Sequence, residues 1–102
     1  MNIKDIITRI GYFRNKANLS AKALSFSIGK SHGYISKMEH GDHEPSMQVI
    51  LDIIDACEIT PEEFFYENID SYKIDKEILT LIKKVDEKKK LAIKSILLEL
   101  LK

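Results

Sequence analysis

The sequence predicts an all-α fold: a five-helix domain that contains a helix-turn-helix, followed by a C-terminal helical hairpin. Three observations carry this. Apolar residues recur at steps of three and four along most of the chain, and no stretch alternates as a strand would. Ser, Thr or Asp precedes most of the apolar runs, where a helix needs a side-chain cap. With 44% hydrophobic and 31% charged residues, the chain is too apolar for the disordered class and has enough material for a core.

The elements follow in order. In the first segment Ile3, Ile6, Ile7, Ile10, Phe13 and Ala17 fall within an arc of about 120°, the stripe of a core-facing helix. One charge, Arg14, stands inside that stripe. Ser20 predicts the cap of a second helix from Ala21 to about Ile28, which Gly29 ends. Ser31 predicts the cap of a third, reaching Glu39 or His40, after which the residues from His40 to Pro45 read as turn. Ser46 caps a fourth helix, Met47 to about Cys57, that buries Val49, Ile50, Ile53 and Ile54. Thr60, Pro61, Glu62 and Glu63 combine a proline at the first helical position with a capping box, and Phe64 and Phe65 close the core. The polar stretch from Glu67 to Ser71 then separates a domain over 1–67 from a hairpin over 72–102. Its helices are predicted from about Ile74 to Val85 and from about Asp86 to Leu101, with Asp86 as the cap between them.

Composition excludes several classes of function. A single cysteine, Cys57, has no internal partner and suits a reducing compartment, so a cytoplasmic location is expected. No apolar run approaches the roughly 18 residues of a spanning segment, and no membrane association is expected. Neither a nucleophile with its base, nor a phosphate-cradling glycine loop, nor a carboxylate pair is visible, so the chain is not expected to be an enzyme or to carry a cofactor. His32, His40 and His43 lack Cys or carboxylate partners at ligand spacing, and no metal site is expected.

Formal net charge is zero, but the distribution is uneven. Residues 1–38 hold seven bases and one acid, residues 39–67 hold nine acids and no Lys or Arg, and residues 68–102 hold nine Lys and six acids. A basic head, an acidic middle and a Lys-rich tail suit different partners.

The informative feature is the pair of short helices joined at Gly29-Lys30. Helices that meet across so tight a turn cross steeply, which demands a small residue at the contact, a turn glycine and an apolar inner side on the second helix. Ser25, Gly29, Ile35 and Met38 fill those roles. With Leu19-Ser20, Leu24, Ile28-Gly29, Ser31, the run from Tyr34 to Glu39, Gly41, Pro45-Ser46 and the run from Ile59 to Phe65, the sequence resembles the Cro/repressor-like (xenobiotic-response-element) family of bacterial and phage regulators over residues 3–66.

The resemblance implies double-stranded DNA as the partner, a helix-turn-helix fold and specific residue roles. His32, Gly33, Ser36 and Lys37 correspond to positions that lie against base edges, and the wheel puts them with His40 on the outer arc of the third helix. Ser20, Lys22, Ser31, Tyr34 and His40 are placed for phosphate. Arg14 and Glu39 both point inward and correspond to a paired Arg and Glu in the family, so a structural ion pair is expected. Two departures oppose tight binding: Ala21 stands where many members carry a phosphate-contacting Gln, and the loop Asp42-His43-Glu44 is acidic; a third, Glu58 in place of a usual Gly, is a matter of local stability.

The tail is too apolar for two helices to hide. The excess surface either folds back on the first domain or meets a partner's hairpin through a self-complementary two-fold contact; the dimer is favoured, and Ile78, Ile82, Ile93, Leu97, Leu100 and Leu101 are assigned to its interface. The resulting expectation is a sequence-specific transcriptional regulator, most simply a repressor, that binds a two-fold operator as a homodimer. The alternative is an antitoxin or antagonist-type interaction module whose tail binds a protein partner.

Overall fold

A computed structural model describes all residues, Met1–Lys102. The chain is all-helical and divides into two compact units, Met1–Tyr66 and Glu67–Lys102.

The first unit contains α1 (Ile3–Lys16), α2 (Ala21–Ser27), α3 (Tyr34–Glu39), α4 (Met47–Ala56) and α5 (Pro61–Phe64). Each start is fixed locally. Asn2 and Asp5 form a reciprocal capping box on α1, a start the apolar stripe alone does not reveal. Ser20 Oγ accepts from the Ala23 N–H at 2.9 Å, Ser46 Oγ from Val49 at 3.2 Å, and Thr60 Oγ1 from Glu63 at 3.1 Å. The Glu63 carboxylate faces Lys16 Nζ at 4.0 Å.

The core draws on all five helices: Ile10 and Phe13 of α1, Leu24 of α2, Ile35 and Met38 of α3, Val49, Ile50, Ile53 and Ile54 of α4, and Phe64 of α5 are buried. Phe13 and Phe64 stack with ring centroids 5.7 Å apart, which ties the first helix to the last. Arg9 Nη1 donates to the carbonyls of Phe64 and Tyr66, so a charge on α1 caps the end of α5. Glu58 holds φ +58°, the left-handed conformation in which Gly is the unstrained choice.

The second unit contains a 3-10 turn over Ile69–Ser71, α6 (Tyr72–Ile82) and α7 (Glu87–Leu100), with Asp86 Oδ1 accepting from Lys89 N–H at 2.9 Å. No side chain in this unit is buried. Of the residues assigned to an interface, Ile82 and Ile93 are half-covered, Ile78 and Leu97 are exposed, and Leu100 and Leu101 are 74% and 82% exposed. No helix in the chain is long and apolar enough to cross a membrane.

Candidate nucleic-acid interface

The site is built around the turn between α2 and α3. Gly29 takes φ +73°, and its successor Lys30 donates its N–H to the Ser25 carbonyl at 2.9 Å, which closes α2 and reverses the chain. Ser25, fully buried, then performs two tasks with one hydroxyl. Its Oγ donates to the Ala21 carbonyl at 2.7 Å and accepts from the Ile35 N–H at 3.0 Å.

That second bond corrects one expectation. Ser31 does not cap the third helix: α3 begins at Tyr34, its N-cap residue is Gly33, and no side chain there accepts a hydrogen bond. Residues 31–33 form a turn in which the Tyr34 N–H, the amide a Ser31 cap would take, bonds the Ser31 carbonyl at 3.0 Å, and the first-turn N–H of Ile35 is satisfied across the helix pair by Ser25. His32 and Gly33 therefore precede the helix instead of lying on its outer arc, and His40 is its C-cap residue.

The remaining geometry gives α3 two faces. Ile35 and Met38 are fully buried, whereas Ser36 and Lys37 are exposed, and His32 and Ser31 are exposed on the approach. Lys37 Cε passes 3.8 Å from the place a Cβ at Gly33 would occupy, so the lysine lies back over the glycine. The inner side is held by charge. Arg14 Nε and Nη2 donate to Glu39 Oε2 and Oε1 at 2.8 and 2.9 Å, and Nη1 donates to the Leu19 carbonyl at 2.9 Å. The hydrogen bond to Glu39, working against desolvation, raises the Arg14 pKa above its ordinary value.

A family model described as helix-turn-helix matches residues 10–64, more than half of the chain. The chain belongs to the Cro/C1-type helix-turn-helix family. That family is one of DNA-binding transcriptional regulators and is not enzymatic. No curated protein and no solved structure matches the chain.

Within this helix-turn-helix unit the residues assigned to phosphate are spread over the start of α2, the turn and both ends of α3. Ser20 and Lys22 lie at the start of α2, with Lys22 exposed and Ser20 engaged as the cap. Tyr34 is half-buried at the start of α3, where Lys30 Nζ stands 5.4 Å from its ring centroid. His43 packs on the same residue, ring centroids 4.6 Å apart, and its Nε2 lies 3.2 Å from the Tyr34 carbonyl. A carbonyl only accepts, so Nε2 carries the hydrogen in this contact. The acidic loop of the helix-turn-helix unit is thus tied back to the helix it follows.

Ser25, Lys30 and His43 are the members of this site that sequence reasoning missed in these roles. Ser25 was legible as a small residue at the helix crossing, but not as a hydrogen-bonding bridge. His43 read as a solvated loop residue, and nothing in a spacing of nine from Tyr34 advertises a contact. No three His, Cys, Asp or Glu side chains group as a metal would require. Cys57 is a free, buried thiol of the core, and burial raises its pKa above the ordinary value, opposed by the weaker pull of Arg14.

Proposed function

We propose that this chain is a sequence-specific transcriptional regulator, most simply a repressor, that acts in the cytoplasm and binds a two-fold operator as a homodimer. The observation that carries the reading is the division of α3: Ile35 and Met38 are locked inward, the Arg14–Glu39 pair braces the helix, and Ser36 and Lys37 are left exposed. A helix so held presents a fixed outer face, the requirement for reading base edges. Lys37 donates to guanine O6 or N7, Ser36 pairs with several bases, and His32 donates or accepts from the approaching turn. Gly33 admits the backbone closely. Ser20, Lys22, Ser31, Tyr34 and His40 set the register on phosphate.

Asp42 and Glu44, both exposed, oppose a polyanion, and Ala21 offers no phosphate contact. Each absent basic contact lowers affinity and flattens its salt dependence. Two half-sites on one dimer compensate. The exposed apolar tail supplies the means: Ile78, Ile82, Ile93, Leu97, Leu100 and Leu101 meet their copies, and half-sites about one helical turn apart follow from the symmetry.

Selection of duplexes from a random library, followed by binding at low and physiological salt, tests this. An enriched inverted repeat, bound with a steep salt slope and lost in Lys37→Ala, is the expected result. Absence of any enriched sequence refutes the reading. Leu97→Asp with Leu101→Asp is expected to give monomers by light scattering and weaker operator binding; a persisting dimer removes the tail from the interface.

A second reading, an antitoxin or antagonist-type module whose tail captures a protein, is favoured by the same exposure of Leu100 and Leu101. It is separated by Lys37→Ala and His32→Ala, which abolish function under the first reading and are silent under the second.

A further inference from the structure

One aromatic side chain serves no part of the fold. Phe26 on α2 is 84% exposed, while the same helix buries Leu24 and Ser25. It forms a wall of an open groove of about 490 Å³ lined also by Ser20, Lys22, Ala23, Ser27 and His32. The groove contains no carboxylate, and Lys22 stands in it as a fixed cation. A second groove that shares Ser27 is the opposite, with Asp52 and Asp55 in its lining and no cation. A polyanion is attracted to the first and repelled from the second.

We propose that the Phe26 groove seats the deoxyribose-phosphate backbone of the DNA strand beside each half-site, the sugar against the Phe26 ring and the phosphate on Lys22. This rests on the DNA-binding reading above and adds a residue to it. Two arguments select this occupant. Ser20 and Lys22 are already assigned to phosphate and His32 to a base edge on grounds unrelated to Phe26, and all three line the groove that the ring walls. The chemistry also matches: a nucleotide backbone alternates an apolar sugar face with an anion, and the groove offers an aromatic wall beside an ammonium and hydroxyls. A thymine methyl would meet the ring without using Lys22 or Ser20. A protein partner would compete with DNA for three of the six lining residues.

The test compares the full-length chain with Phe26→Ala, Phe26→Leu and Lys22→Ala on the duplex selected by the wild type and on a mixed-sequence duplex, across a salt series. Phe26→Ala is expected to bind both duplexes about tenfold more weakly, as loss of apolar area covered only on DNA binding implies. Its salt slope is expected to stay parallel to wild type, because no counterion-releasing charge is removed, whereas Lys22→Ala, which removes one phosphate contact per half-site, flattens the slope of the dimer by about 1.8. Phe26→Leu recovers most of the loss, and the thermal midpoint of Phe26→Ala is unchanged because the ring is exposed. Wild-type affinity of Phe26→Ala for both duplexes overturns the proposal and assigns the groove to a protein. A loss confined to the selected duplex and reproduced by replacing its thymines with deoxyuridine overturns it in favour of a base contact. A wild type that binds no duplex removes the DNA reading and this proposal together.

Discussion

Replacing Ser25 by Ala deletes one oxygen and measures how α3 is held against α2. That oxygen is fully buried, donates to Ala21 and accepts the Ile35 N–H at 3.0 Å. The Ala21 carbonyl remains an interior helical acceptor in the variant, but the Ile35 N–H loses its partner in a place water does not reach. A buried donor left unsatisfied costs about 1–3 kcal/mol. Alanine returns about 0.5 kcal/mol through its higher helix propensity. The expected net destabilisation is therefore about 1–2 kcal/mol, centred on one amide. Ser27→Ala is the matched control, since Ser27 Oγ donates to the Ala23 carbonyl at 2.9 Å from an exposed position and receives no buried N–H. It should be neutral, or more stable by about 0.5 kcal/mol. Urea unfolding of both variants at equal protein concentration and equal m-value gives the difference, and amide exchange at Ile35 should accelerate in Ser25→Ala alone. Equal stabilities for the two variants would refute the claim that a serine of α2 satisfies the first turn of α3.

Three further expectations concern stability. Arg14 and Glu39 side chains are 15% and 23% exposed, so Arg14→Met should cost about 3 kcal/mol, the low end for breaking a buried pair, and Arg14→Met with Glu39→Met should recover most of it; a single-variant loss below about 0.5 kcal/mol would place the pair among ordinary surface bridges. Because burial raises the Cys57 pKa in the folded state, its stabilising contribution is complete below about pH 9 and lost as pH rises through the folded value; Cys57→Ala should flatten that alkaline decline in thermal midpoint, and an unchanged slope would exclude the thiol as its source. Glu58→Gly relieves a left-handed conformation worth about 1–2 kcal/mol and returns about 0.5–1 kcal/mol as chain entropy, so a gain of about 0.5 kcal/mol is expected by denaturation, and a loss would show that the Glu58 side chain contributes more than its strain.

The helices were legible because their signals are local. Ser20, Ser46, Thr60 and Asp86 each accept from the N–H three residues on, a relation readable in sequence without knowledge of the fold. Ser31 had the same local signature and fails as a cap because the N–H three residues on, that of Tyr34, bonds the Ser31 carbonyl in a turn that precedes α3. The next amide, Ile35 N–H, is taken by Ser25 of α2, a tertiary partner that no local rule reveals. Arg14 was conspicuous as a charge in an apolar stripe, whereas Arg9, which caps α5 from a distance of 55 residues, looked like any surface base. His43 escaped for a similar reason: its partner is a backbone carbonyl, and every residue has one. Exposure of the tail was legible as an excess of leucine, and the absence of any buried side chain there is the structural form of that excess.

Gly33 adopts φ −91° and ψ −1°, a conformation open to every residue, and an added Cβ would meet only Lys37 Cε at an ordinary contact distance. The fold therefore makes no demand on this position, although it stands between His32 and Ser36, both assigned to base edges. Under the proposed assignment adaptation is uncoupled from folding here: a new side chain at 33 would add a recognition group while the core, the turn and the Arg14–Glu39 brace stay as they are. Diverging copies of such a regulator could acquire a different operator by one substitution, without first accumulating stability to offset it.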